Sequence, residues 1–152
     1  MATSAIVLKS ATTQDTQEIL KMMETFYAID DYPFDQELAE HLIVELTENE
    51  YLGRLWLISN GHEIIGYIAL TFGFSFEYAG RDAFIDELFI KEGFRGMGFG
   101  AKTMEQLEIE ARRLGVNAIH LEVERHNARG NRLYENQGYV GNDRKLLTKR
   151  IS

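Results

Sequence analysis

Ile90-Lys91-Glu92-Gly93-Phe94-Arg95-Gly96-Met97-Gly98-Phe99-Gly100 carries the chain from the end of an apolar strand through a glycine-rich turn into a helix. Glycine reaches φ > 0 without penalty and lets a ligand come close to the backbone. The unpaired N–H groups of a helix's first turn carry the positive end of its dipole. Together they suit an anion, above all a phosphate. No Lys-Ser/Thr pair ends the glycine run, so this is not a P-loop, and Val116 stands where a dinucleotide fold needs an acid.

Working outward, residues 83–90 read as a central strand with Asp86 and Glu87 set inside an apolar run. Downstream, Ala101, Met104, Leu107, Ala111 and Leu114 keep one face of a helix, and Gly115 stops it. Nearer the N-terminus, Thr12 with Asp15 caps a helix carrying Ile19, Met22, Met23 and Phe26. Asp30-Asp31-Tyr32-Pro33 breaks that helix, and Asp35 caps a second with Leu38, Leu42, Ile43 and Leu46 as its stripe. Further strands are expected at 6–8, 55–58, 64–70, 118–123 and 145–149, a short helix at 128–136, and a tight hairpin at Asn60-Gly61.

The chain has 152 residues, 45% hydrophobic and 26% charged, which predicts one soluble globular domain spanning 1–152. A formal net charge of −8 argues against nucleic acid and favours a cationic partner. No apolar run approaches a membrane span, and Met1-Ala2-Thr3-Ser4-Ala5 lacks a leader's basic region and apolar core. The absence of cysteine removes thiolate chemistry and points to the cytoplasm. His41, His62, His120 and His126 show no metal-ligand spacing, so no metal is expected.

Two motifs at matching spacing resemble the GCN5-related N-acetyltransferase family: Arg95-x-x-Gly98-x-Gly100 opening a helix after a strand, and Asn127-x-x-Gly130-x-x-Leu133-Tyr134-x-x-x-Gly138-Tyr139. The element order from Ile6 to Lys149 is similar as well. The resemblance implies an α/β fold with a mixed, mostly antiparallel sheet, flanked by helices, whose central strands splay to admit acetyl-coenzyme A. It implies that Leu88, Phe89 and Ile90 line the pantetheine arm through their backbone. Gly96, Met97, Gly98, Phe99, Gly100 and Ala101 would bind the pyrophosphate through amides, with Arg95, Asn127 and Tyr134 as further cofactor contacts. Gly130, Tyr139 and Glu92 depart from the family's commoner Ala, Phe and Pro.

Acetyl transfer to an amine needs a neutral nucleophile, and a lysine-like amine is only about one part in 10³ unprotonated at pH 7. A carboxylate on the central strand can take that proton, which makes Asp86 and Glu87 the candidates. Strand alternation sets Asp86 on the face of Phe84 and Leu88, and Glu87 on that of Ile85 and Phe89. In the diamine and aminoglycoside acetyltransferases that this segment resembles, the functional acid lies in the place of Asp86. Tyr134, protonated at neutral pH, is the candidate acid for the departing thiolate.

Tyr27, Asp30, Asp31 and Tyr32 in the first interhelix loop, with Asp86, are the candidates for binding a cationic amine. The stripe Phe72, Phe74, Phe76 serves the substrate, the core or a homodimer surface. The leading expectation is an acetyl-CoA-dependent N-acetyltransferase for a small polyamine-like or aminoglycoside-like amine. The alternatives are acetylation of a protein N-terminus or lysine, and an acyl-CoA-binding module without turnover.

Overall fold

Apolar runs between Val7 and His120 pair into one five-stranded sheet: β1 (Val7–Ser10), β2 (Gly53–Ser59), β3 (Ile64–Ser75), β4 (Gly80–Ile90) and β5 (Ala118–His120), adjacent in that order. All pairings are antiparallel except β4 with β5. Among the described residues four α-helices complete the fold: α1 (Thr16–Ile29), α2 (Gln36–Glu48), α3 (Phe99–Arg113) and α4 (Ala128–Asn136). The computed structural model describes residues 5–152, so residues 1–4 of the stretch read above for a leader lie outside the described residues. The chain divides into two compact units, one ending at Glu122 and one running over Val123–Ser152.

Local chemistry explains where the first helices begin. The Asp15 carboxylate accepts from Thr12 N at 2.8 Å over a short 3-10 turn, and Asp35 Oδ1 accepts from Leu38 N at 3.1 Å. Ile19, Leu20 and Met22 of α1 and Ala39 and Ile43 of α2 join Leu55, Leu57, Tyr67, Ala69 and Phe89 in one buried cluster on one sheet face. Leu38 and Leu42, expected in the α2 stripe, are instead about half exposed. Rows 39/43 and 38/42 are neighbours on the helix surface, and only the first turns toward the sheet.

On the other face Trp56, Ile58, Ile68 and Leu70 are buried, and α3 buries Thr103, Met104, Leu107 and Ala111 and lies against β1. Thr103, absent from the expected stripe, satisfies its hydroxyl by donating to Phe99 O at 2.7 Å. The hairpin at Asn60 has a four-residue loop rather than a two-residue turn, because Asn60 Oδ1 accepts from both His62 N and Glu63 N at 3.0 Å.

β5 ends at His120 rather than 123, and residues 145–149, expected as a closing strand, are irregular. Leu146 and Leu147 are adjacent and both exposed. Two consecutive leucines between lysines have no period-2 pattern to choose a face, and no described ladder includes them.

Candidate active site

The strand carrying both acids is not regular. In the β3–β4 register Ala69 faces Glu87 and Leu70 faces Ile85, leaving Asp86 as the extra residue of a β-bulge. The bulge reverses the expected alternation. Ile85, opposite Leu70, shares the face of Leu88, opposite Ile68, while Glu87 and Phe84 lie opposite Ala69 and Thr71 on the face that α1 and α2 cover farther along.

Glu87 is thereby turned under α1, where Tyr27 Oη donates to its Oε2 at 2.5 Å and Tyr67 Oη to its Oε1 at 2.7 Å. Burial holds the Glu87 carboxyl above the ordinary glutamate range; the two phenol hydrogen bonds oppose that shift and the charge of Asp86 adds to it. The same burial, with the carboxylate beside them, pushes both tyrosines up, so each stays a donor. Asp86 itself is exposed. Tyr67 was missed in the sequence, where it reads only as part of an apolar strand.

Tyr27 is not in the interhelix loop but in the last turns of α1, which runs to Ile29. Its ring packs against Phe26 at 6.2 Å and Phe34 at 5.3 Å. Asp30 is the C-terminal cap of α1, Asp31 adopts φ 55°, and Tyr32 N returns to Tyr27 O at 3.0 Å. The stripe Phe72, Phe74, Phe76 does not meet this cluster: Phe72 alternates onto the face of Leu70, under the guanidinium of Arg81, and Phe74 and Phe76 are exposed near the hairpin tip.

β4 and β5 pair only at Asp82↔Ala118, Ala83↔Ile119 and Phe84↔His120. From there to Ile90 the edge of β4 away from β3 has no described ladder, so backbone of Leu88, Phe89 and Ile90 lies on an open edge beyond the fork where β5 stops pairing. Beyond Ile90 the turn passes through Gly96 at φ 75° and Gly98 at φ 82°, the latter capping α3. A Cβ on Gly98 would meet nothing within 4 Å, and the first turn of α3 has no acid. Those features fit an anionic group. Arg95 is committed to the loop itself, donating to Ile90 O at 2.7 Å with its guanidinium over the Phe89 ring. Met97 is exposed, and Phe99 packs its ring against Phe94 at 6.3 Å. Gly100 and Ala101 form the first turn of α3.

The profile of the acetyltransferase (GNAT) family matches residues 16–139. The chain belongs to the GNAT family. It is an N-acetyltransferase by that membership, and its mixed sheet with four helices is the GNAT fold. An uncharacterised N-acetyltransferase of Bacillus subtilis, YycN, is 26% identical over 132 residues, covering 86% of this chain and 72% of its own. An integron cassette protein from the mobile metagenome of Cole Harbour salt marsh has a TM-score of 0.85 at 30% identity, with 95% of this chain and 90% of that one aligned. A predicted acetyltransferase from Clostridium acetobutylicum, solved with acetyl-CoA, has a TM-score of 0.78 at 16% identity over 95% and 96% of the two chains.

The C-terminal unit of this GNAT chain holds the second motif. Asn127 caps α4, its Oδ1 accepting from Gly130 N at 2.9 Å. A Cβ on Gly130 would come within 2.5 Å of the Asn127 amide, so the departure from Ala leaves that cap its room. Asn131 Nδ2, missed in the sequence, ties down Glu124 O and Asn127 O. Tyr134 stacks edge-on to Tyr139 at 6.0 Å, and burial pushes its phenol up, keeping it protonated.

Beside the fork, α1 and the end of β4 enclose a groove of about 540 Å³ lined by Glu18, Lys21, Met22, Thr25, Phe89, Lys91 and Glu92. None of the candidate acids lines it.

Proposed function

We propose that this GNAT enzyme moves the acetyl group of acetyl-CoA to a primary amine of a small cationic acceptor, polyamine-like or aminoglycoside-like, in the cytoplasm. The observation that carries the reading is the fork. Backbone on the unladdered edge of β4 runs into a glycine turn with two positive φ angles and an acid-free helix start. Amides of residues 96–101 hold the pyrophosphate, and Leu88, Phe89 and Ile90 flank the pantetheine arm. Asp86, exposed on the bulge beside the partly buried Glu87, is the counter-ion for the acceptor's ammonium, with Tyr27, Asp30, Asp31 and Tyr32 at the acceptor's approach.

In the reaction Asp86, directly or through a water, takes one proton from the acceptor's ammonium, the freed amine nitrogen attacks the thioester carbonyl carbon, and the C–S bond breaks as the carbonyl re-forms and the nitrogen sheds its second proton. Tyr134 supplies the proton that coenzyme A's sulfur takes up. A backbone N–H near Phe89 or Ile90 stabilises the oxyanion. Net charge of −8 and the absence of cysteine support a cationic acceptor and a reducing compartment.

Release of free coenzyme A thiol, measured across polyamines, aminoglycosides, amino-acid amines and N-terminal or lysine peptides, tests the reading. Turnover should concentrate in the small polycations. Preference for the peptides would transfer the assignment to protein acetylation, and acetyl-CoA binding without thiol release from any amine would make the protein a binding module.

A further inference from the structure

His120 is the last residue of β5 to pair with β4, opposite Phe84, so it stands where the two strands part. Phe84, opposite Thr71, is on the Glu87 face of the sheet, and parallel pairing sets His120 on that face too. Its Nε2 lies 3.0 Å from Asp82 Oδ2, with the two side chains 25% and 13% exposed. The ring is held between Tyr78 at 4.8 Å and Phe84 at 5.1 Å. A carboxylate only accepts, so Nε2 carries the hydrogen, and in the neutral ring Nδ1 is then the nitrogen that keeps a lone pair. Gly73 is part of the arrangement: opposite Asp82, a Cβ there would come within 2.7 Å of Asp82 Oδ1.

We propose that His120 is the general base of the acetyl transfer, its Nδ1 taking the proton that the acceptor's ammonium sheds at the fork, and that Asp82 is the positioning residue that fixes the ring. This rests on the acetyl-transfer reading and moves the base from Asp86 to His120, leaving Asp86 to hold the ammonium. R–NH3+ gives one proton to Nδ1, directly or through a water, and the freed lone pair attacks the thioester carbon. The second N–H proton, lost as the tetrahedral adduct collapses, balances the one gained by the departing sulfur. The imidazolium then returns its proton to solvent. Imidazole is suited to this exchange at neutral pH, and an Asp-held His with an open nitrogen is the arrangement that base catalysis requires. Around the ring, Asp82 is the bonded charge and Tyr78 the titratable neighbour, Arg81 is turned to Leu114 O and Phe72, and Glu122 follows on its own segment.

The test uses the full chain, acetyl-CoA and the amine with the fastest thiol release in the panel. H120Q should lower kcat about 100-fold with KM for acetyl-CoA unchanged, and should erase the fall of kcat/KM on the acid side of neutrality. D82N should lower kcat less than H120Q does and leave KM for acetyl-CoA unchanged, because the ring loses only the partner that orients it. Added imidazole should restore turnover to H120A while leaving wild type unaffected. An H120Q enzyme with wild-type kcat and an intact acid limb would overturn the proposal, as would failure of imidazole to rescue an H120A protein that still binds acetyl-CoA. Wild type releasing no thiol with any amine would instead sink the acetyl-transfer reading beneath it.

Discussion

Glu87 illustrates what one residue's surroundings do. Its carboxyl is held above the ordinary value of 4.5, chiefly by burial, so the fold binds its proton more tightly than the unfolded chain does. The stability contributed is full below pH 4.5 and is lost as pH rises through the folded value. Glu87→Gln abolishes that loss, and the gap between wild-type and mutant melting curves should open from pH 4.5 upward. Tyr27→Phe removes a hydrogen bond that lowers the Glu87 value, so the wild-type decline should move to higher pH in that variant; a shift to lower pH would refute the balance of effects described for this cluster. The sequence marked both acids as anomalous in an apolar run. It did not reveal their unequal surroundings, because the phenols beside Glu87 lie 60 and 20 residues away along the chain.

Elements were legible where their signals are local. Caps at Asp15 and Asp35, the stop at Gly115 with φ 75° and the glycine turn before α3 all follow from the φ and hydrogen-bond needs of a few consecutive residues. Which helical row meets the sheet is not local. Ile43→Ala should therefore cost about 2–5 kcal/mol in chemical denaturation, while Leu38→Gln and Leu42→Gln stay within about 0.5 kcal/mol of wild type. A large loss at Leu42 would show that α2 is covered on its outer side. In the turn, Gly98→Ala should cost about 1–2 kcal/mol from its positive φ and raise KM for acetyl-CoA, although its methyl would touch no neighbour in the protein. The bulge at Asp86 has no local sequence signal, since strand alternation assumes a regular ladder and only the register with β3 reveals the extra residue.

At the scale of the molecule, a net charge of −8 opposes the anionic donor and attracts a cationic acceptor, so the two substrates should answer salt in opposite directions. Raising NaCl from about 20 mM to about 500 mM should raise KM for a polyamine acceptor at least about threefold and leave that for acetyl-CoA level or lower. Parallel increases for both would mean that local charges, not the overall field, govern encounter. The family and its mixed, mostly antiparallel sheet were within reach of the sequence because apolar period, glycine positions and motif spacing are properties of short windows, and the proposed donor half of the site is built from them. The Tyr27–Glu87–Tyr67 cluster, the Asp82–His120 pair and the fork beside it were decided by tertiary structure alone. Each depends on which strand neighbours which and in what register, and residues 60, 38 and 20 apart meet only once the whole sheet has closed.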